Sequence, residues 1–250
     1  MSAPEDTRQA LWLEALDARH LADLTPTEVA RALRALSSCY VERRTKLARG
    51  GALDSAGKRA AFALFYAPLH FLTVGEIVRA LPDARDVSRL LDLGCGTGAA
   101  GAAWAVEAGA GTVTGLDRHP WAAAEATWTY RQFGLSGRGL VADLSRARIQ
   151  PERRLGILAA YAANELPPDV RTTLLDTLLD ARRNGARVLV VEPIARRISG
   201  WWPSWERAFR DAGGRTDEWR FAVRLPERQQ QLARAAGLNP RELTARSLWL

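Results

Sequence analysis

Thirteen residues, Arg89 to Gly101 (RLLDLGCGTGAAG), fit into very few kinds of fold. Leu90, Leu91 and Leu93 make the apolar run of a strand covered on both faces, as in a parallel sheet. Gly94, Gly96 and Gly98 follow at once, and without a Cβ their backbone can turn sharply and come within contact distance of a ligand. A helix is expected next, about Ala99 to Ala108, with its first N–H groups aimed at whatever sits over the turn. Asp92 adds a carboxylate near the C-terminal end of the strand, the edge at which open α/β sheets bind their ligands. The stretch reads as the turn of a nucleotide-like cofactor site.

Two cofactor classes fit such a turn. Gly96-Thr-Gly98-Ala-Ala-Gly101 satisfies G-x-G-x-x-G, and Asp117 follows at a distance suited to a ribose, as in dinucleotide sites. Asp92 argues against a pyrophosphate, because it would bring like charges together, and suits a ligand with a cationic amino group.

Downstream, strands and helices alternate. Strands are expected at Thr112–Asp117, Gly139–Asp143, Leu155–Ala160 and Arg187–Val191, with helices from Pro120 to about Phe133 and from Asp169 to Arg183. Asp117, Asp143 and Glu192 end three of these strands at the same edge of one sheet, and an acid after the second strand can accept both ribose hydroxyls. Toward the C-terminus a helix to about Ala212, a strand Glu218–Arg224, a helix Glu227–Ala236 and a strand Glu242–Leu250 complete a Rossmann-like α/β fold. Its sheet has seven strands, mostly parallel, with the last antiparallel. Residues 89–250 form this domain, and residues 1–88 form an N-terminal helical extension packed on it.

Within the extension, Leu11, Leu13, Leu16 and Leu21 mark one amphipathic helix. Thr25-Pro26-Thr27-Glu28 looks like a capped start for a second, continued by Val29, Leu33, Leu36 and Tyr40. Residues 42–59 read as a polar linker with a surplus of four positive charges, either a phosphate grip or a solvated connector. Pro68 is expected to interrupt or restart the helix over residues 60–81. Phe62, Tyr66 and His70 share one face if the helix survives, and are then placed to fold over the cofactor or to join the core.

Composition excludes little. The 47% hydrophobic and 25% charged content are ordinary for a globular chain. No apolar run reaches the ~20 residues of a membrane span, and the N-terminus lacks a signal-peptide core, so a cytoplasmic location and no membrane partner are expected. The net charge of +7 raises nucleic acid as a partner, as do ten arginines and four tryptophans between Arg182 and Arg224, a stacking-surface composition that packed α/β edges share. Lys46 and Lys58 are the only lysines, so arginine-biased coding accounts for the charge equally well. Cys39 and Cys95 are the only cysteines and His20, His70 and His119 stand singly, so no metal site is expected.

The string Asp92-Leu-Gly94-Cys95-Gly96-Thr-Gly98 resembles motif I of the class I S-adenosylmethionine (SAM) methyltransferases, a resemblance that runs from residue 87 to about 193. It implies S-adenosyl-L-methionine as cofactor, held by the turn with Asp92, Gly94, Cys95, Gly96 and Gly98. Asp117 and Arg118 would lie at the ribose, Asp143 and Leu144 at the adenine, and Tyr66 and Tyr161 would flank the molecule. A narrower resemblance covers about 60–225. Tyr66 to His70, Tyr161 to Pro167, Val191-Glu192-Pro193 and Trp219 to Pro226 are similar to the methyltransferase-like factors of small ribosomal subunit assembly in mitochondria and their bacterial relatives. That family carries a cysteine cluster holding iron and sulfur, and here Arg220 stands where a cysteine would be expected. The implied activity is methyl transfer to an unidentified acceptor, RNA or a small molecule, with a non-catalytic ribosome assembly role as the alternative. Asn164 would orient the acceptor and Glu165 take its proton, unless the pair only caps the next helix; the residues leave the oligomeric state unassigned.

Overall fold

The computed structural model describes residues 3–42, 53–146, 148–150, 152–194, 200–222, 225–238 and 242–250. Its centre is a seven-stranded sheet: β1 (Arg89–Leu93), β2 (Thr112–Asp117), β3 (Ser136–Val141), β4 (Leu155–Ala160), β5 (Arg187–Glu192), β6 (Arg215–Phe221) and β7 (Leu243–Trp249). The order is β3-β2-β1-β4-β5-β7-β6. The first five strands are parallel, and β7 runs antiparallel to both of its neighbours. The chain steps outward from β1 to β3 and then returns to β4, so strand order reverses between β1 and β4. Open α/β sheets have their ligand crevice at that point.

The helices are α1 (Ala3–His20), α2 (Pro26–Glu42), α3 (Ala56–Ala80), α4 (Ala99–Ala108), α5 (Pro120–Gln132), α6 (Pro168–Arg183), α7 (Trp202–Asp211) and α8 (Glu227–Ala235). The N-terminal helices share a core with one face of the sheet, where Trp12, Leu33, Leu64 and Ile77 join Leu90, Val113 and Leu158. The other face packs Ile157, Val188 and Val190 against Leu174 and Leu178 of α6 and Trp205 and Phe209 of α7.

Several elements differ from their sequence-based expectation. The helix through Pro68 is not broken. It runs from Ala56 to Ala80, with a π-helical stretch over Phe62–Tyr66 that shifts the hydrogen-bond register just ahead of the proline. It begins at Ala56, capped by Ser55, and so takes up the end of the expected linker; residues 43–52 of that linker lie outside the described residues. By length and composition α3 could cross a membrane, contrary to the expectation of no such run, but 72% of its apolar window is buried inside the fold.

In α1 the inward side chains are Trp12 and Leu16, each 1% exposed, whereas Leu11 is 58% exposed. The expected cap at Thr25 is present and is reciprocal: the Glu28 N–H donates to Thr25 Oγ1 and the Thr25 N–H to Glu28 Oε2. Strand β3 ends at Val141, so Asp143 lies beyond the strand and does not terminate it. The earlier start comes from Gly137 and Gly139: a Cβ on Gly139 would lie 2.0 Å from the Ala123 carbonyl oxygen, so these glycines let α5 sit directly on the strand. Strand β6 begins at Arg215 and ends at Phe221, paired with β7 throughout, and Arg224 is outside the described residues.

Candidate active site

The glycine turn takes the left-handed backbone conformations that its residues permit, with φ of +71° at Gly94, +51° at Gly96 and +78° at Gly98. Close packing enforces two of them. A Cβ would fall 2.6 Å from that of Ala162 at Gly94, and 2.9 Å from the Ala126 Cα at Gly98. The Gly94 and Cys95 N–H groups both donate to the Leu116 carbonyl, which ties the turn to the end of β2.

Asp117, half-buried at the end of β2, accepts from the Gly96 N–H at 2.9 Å and from the His119 N–H at 2.8 Å. A carboxylate directly beside the turn is where a ribose can be recognised. Asp143 is exposed, and its Oδ1 accepts from the Ser145 N–H at 2.9 Å. Next to it, Leu144 Cδ1 lies 3.8 Å from the Cβ position of Gly94. Arg118 and Glu165 bring the loops after β2 and β4 together, with 3.9 Å between them.

Asp92 is placed differently from the expectation that it faces a cationic ligand. It is 1% exposed, and its Oδ2 accepts from the Gly101 N–H at 3.1 Å, bracing the start of α4 from beneath. Burial pushes its carboxyl up to about 7, against the Gly101 hydrogen bond. Cys95 is likewise turned inward, with its thiol pushed up by burial and donating to the Gly96 carbonyl at 3.6 Å.

Helix α3 lies across this edge. Phe62 Cζ reaches 3.4 Å from the Cβ position of Gly96. Phe62, Tyr66 and His70 do share one face, with Phe62–Tyr66 and Tyr66–His70 centroids 6.0 and 6.2 Å apart. His70 stacks on Tyr161 at 4.0 Å and 16°. Tyr161 follows β4 with a φ of +59°, uncommon for an aromatic residue, and its N–H donates to the Val191 carbonyl at 2.8 Å. Its hydroxyl bonds the Thr73 side chain, and that of Tyr66 bonds Ser37. Burial raises both phenols and lowers the His70 imidazole to about 3, so this aromatic wall is uncharged at neutral pH.

Asn164 stands in a short 3₁₀ turn after β4, and both ends of its amide are engaged. Its Nδ2 donates to Glu192 Oε2 and its backbone N–H to Glu192 Oε1 at 3.1 Å, while its Oδ1 accepts from the Trp201 indole at 3.0 Å. The expectation that Asn164 orients an acceptor therefore gives way to a bracket that fixes the loop. Glu192 is fully buried, and burial pushes its carboxyl up to about 7, against the Asn164 donors and the Arg246 charge. Arg171 supports the same loop by donating to the Ala163 and Leu166 carbonyls.

Glu192 and Trp201 join this network without having been expected as site residues. Glu192 had a detectable signal, an acid at the C-terminal end of a strand in the same sheet. Trp201 had none. Among the described residues, no group of three or more His, Cys, Asp or Glu side chains gathers where a metal ion could be held.

A family profile described as a methyltransferase domain matches residues 90–185. No curated protein matches by sequence. Among solved structures, mitomycin 7-O-methyltransferase MmcR is similar at 15% identity and a TM-score of 0.54, over 95% of this chain and 71% of that one. The methyltransferase domain of bacterial CtHen1 is similar at 12% identity and a TM-score of 0.50, over 73% of this chain and 96% of that one. Strand order, the antiparallel β7 and the similarity to MmcR show the Rossmann-like class I methyltransferase fold, and residues 90–185, glycine turn included, carry the methyltransferase domain.

Proposed function

We propose that this protein transfers the methyl group of SAM to a small, uncharged acceptor enclosed between α3 and the loop that follows β4. The observation that carries the reading is the aromatic face of α3 closed over the glycine turn, with Phe62 at Gly96 and His70 on Tyr161. The residues present fit the cofactor. Gly94 and Gly98 let the turn fold tightly onto Ala162 and Ala126, Asp117 beside it offers acceptor oxygens for a ribose, and Asp143 and Leu144 would meet the adenine. When bound, SAM supplies a methyl carbon on a sulfonium leaving group.

The chain's own work is then positioning and exclusion of water. Holding acceptor and methyl in line supplies several kcal/mol by proximity. The neutral wall of Tyr66, His70 and Tyr161 suits an acceptor without phosphate groups. The nearby cations Arg118 and Arg171 are engaged with Glu165 and with backbone carbonyls. Glu165, a third exposed at the same edge, is placed to take the proton of a hydroxyl or amine acceptor. The similarity to an O-methyltransferase extends over the N-terminal helices as well as the sheet, which agrees with a covered small-molecule site.

The test is incubation of the purified protein with methyl-labelled SAM and a cell extract separated into low-molecular-weight, RNA and protein fractions. Label in the low-molecular-weight fraction is expected. Label in RNA, or salt-dependent RNA binding without methylation, would replace this reading with the ribosomal one.

A further inference from the structure

Pro68 sits inside α3 and provides no N–H for the Leu64 carbonyl, the usual partner four residues back. Gln229, on α8 and 165 residues away in sequence, reaches that carbonyl with its Nε2 at 2.8 Å. Gln229 is 2% exposed, and its Oε1 has no hydrogen-bond partner. A glutamine amide buried with one end unsatisfied is costly, so the bond to Leu64 has to offset its placement. The Leu64 carbonyl lies inside the π-helical stretch Phe62–Tyr66, where the Ala67 N–H donates back to the Phe62 carbonyl. Such stretches change which face a helix presents and recur at functional sites. Here the stretch sets where Phe62 meets the glycine turn and where Tyr66 and His70 meet Tyr161. A second tie, Arg228 Nε to Asp17 Oδ2 at 2.9 Å, links the same turn of α8 to α1.

We infer that Gln229 is a positioning residue for the cofactor cover: it completes the hydrogen bonding that Pro68 leaves open at Leu64 and so holds the aromatic face of α3 over the glycine turn. The role depends on the proline, and this separates it from ordinary core packing. Pro68→Ala returns an N–H to the helix opposite the Leu64 carbonyl, so loss of Gln229 should matter less in that background.

The experiment compares Gln229→Ala and the bulkier Gln229→Leu, each with Pro68 and with Pro68→Ala, by amide hydrogen exchange over residues 62–70 and by calorimetric titration with SAM. With Pro68 present, both variants are expected to speed exchange in 62–70 selectively and to weaken SAM binding about tenfold, equivalent to about 1.4 kcal/mol. With Pro68→Ala, exchange and affinity should return toward those of the single Pro68→Ala protein. Unchanged exchange at 62–70, a uniform rise across the whole chain, or equal effects in both backgrounds would overturn the inference. The titration rests on the SAM reading and the exchange does not. A parent protein that ignores SAM but shows the proline-dependent exchange would sink that reading and keep this one.

Discussion

At the scale of single residues, the site is built on carboxyls held out of their usual range. Glu192 and Asp92 both titrate near 7 in the fold, because burial penalises the charged form. Each has a folded value above the ~4 of an exposed carboxyl. Their stabilising effect is therefore complete below that unfolded value and is lost as pH rises through the folded one. The melting temperature is expected to fall between roughly pH 4 and pH 7 and to level off above that, and Glu192→Gln should flatten part of that slope. A melting temperature that rises over this range would show that these carboxyls are ionised and satisfied in the native protein. Asn164 belongs to the same network. Its two donors to Glu192 are hydrogen bonds a carboxyl accepts in either protonation state, whereas at pH 7 the buried charge itself is only partly populated.

At the scale of elements, the N-terminal helices are held by a few large side chains. Trp12 of α1 packs 5.4 Å from Phe71 of α3 and 5.2 Å from Phe133, just after α5. Trp12→Ala is expected to cost about 3–5 kcal/mol, as for other fully buried aromatics. Urea unfolding checks this, and a loss under 1 kcal/mol would mean that α1 is not part of the cooperative core. The parallel strands were legible in sequence because buried apolar runs alternate with capped helices. Strand β3 was less so, since Gly137 and Gly139 resemble a loop by propensity and are there to admit α5. Trp12 was missed because its neighbours Leu11 and Leu13 carry the more familiar pattern. The continuity of α3 was missed because Pro68 ordinarily ends a helix, and the compensating donor, Gln229, is far away in sequence. The site was legible to the same extent. Spacing from the glycines located Asp117, while the inward turn of Asp92 and the double engagement of Asn164 depend on contacts that spacing does not encode.

At the scale of the whole molecule, one sheet edge gathers the glycine turn after β1, Asp117 after β2, Tyr161 to Glu165 after β4 and Glu192 at the end of β5, and α3 covers it. That assembly is the basis for the proposal of SAM as cofactor, in which Asp117 holds the ribose. Calorimetric titration of the protein and of Asp117→Ala with SAM tests it most directly, with NAD as the control ligand. The account predicts saturable SAM binding by the parent protein and none of NAD. It also predicts a loss of about 1.5–3 kcal/mol in Asp117→Ala, the range for hydrogen bonds to a charged group. NAD binding without a response to SAM, or SAM affinity unchanged by Asp117→Ala, would contradict it.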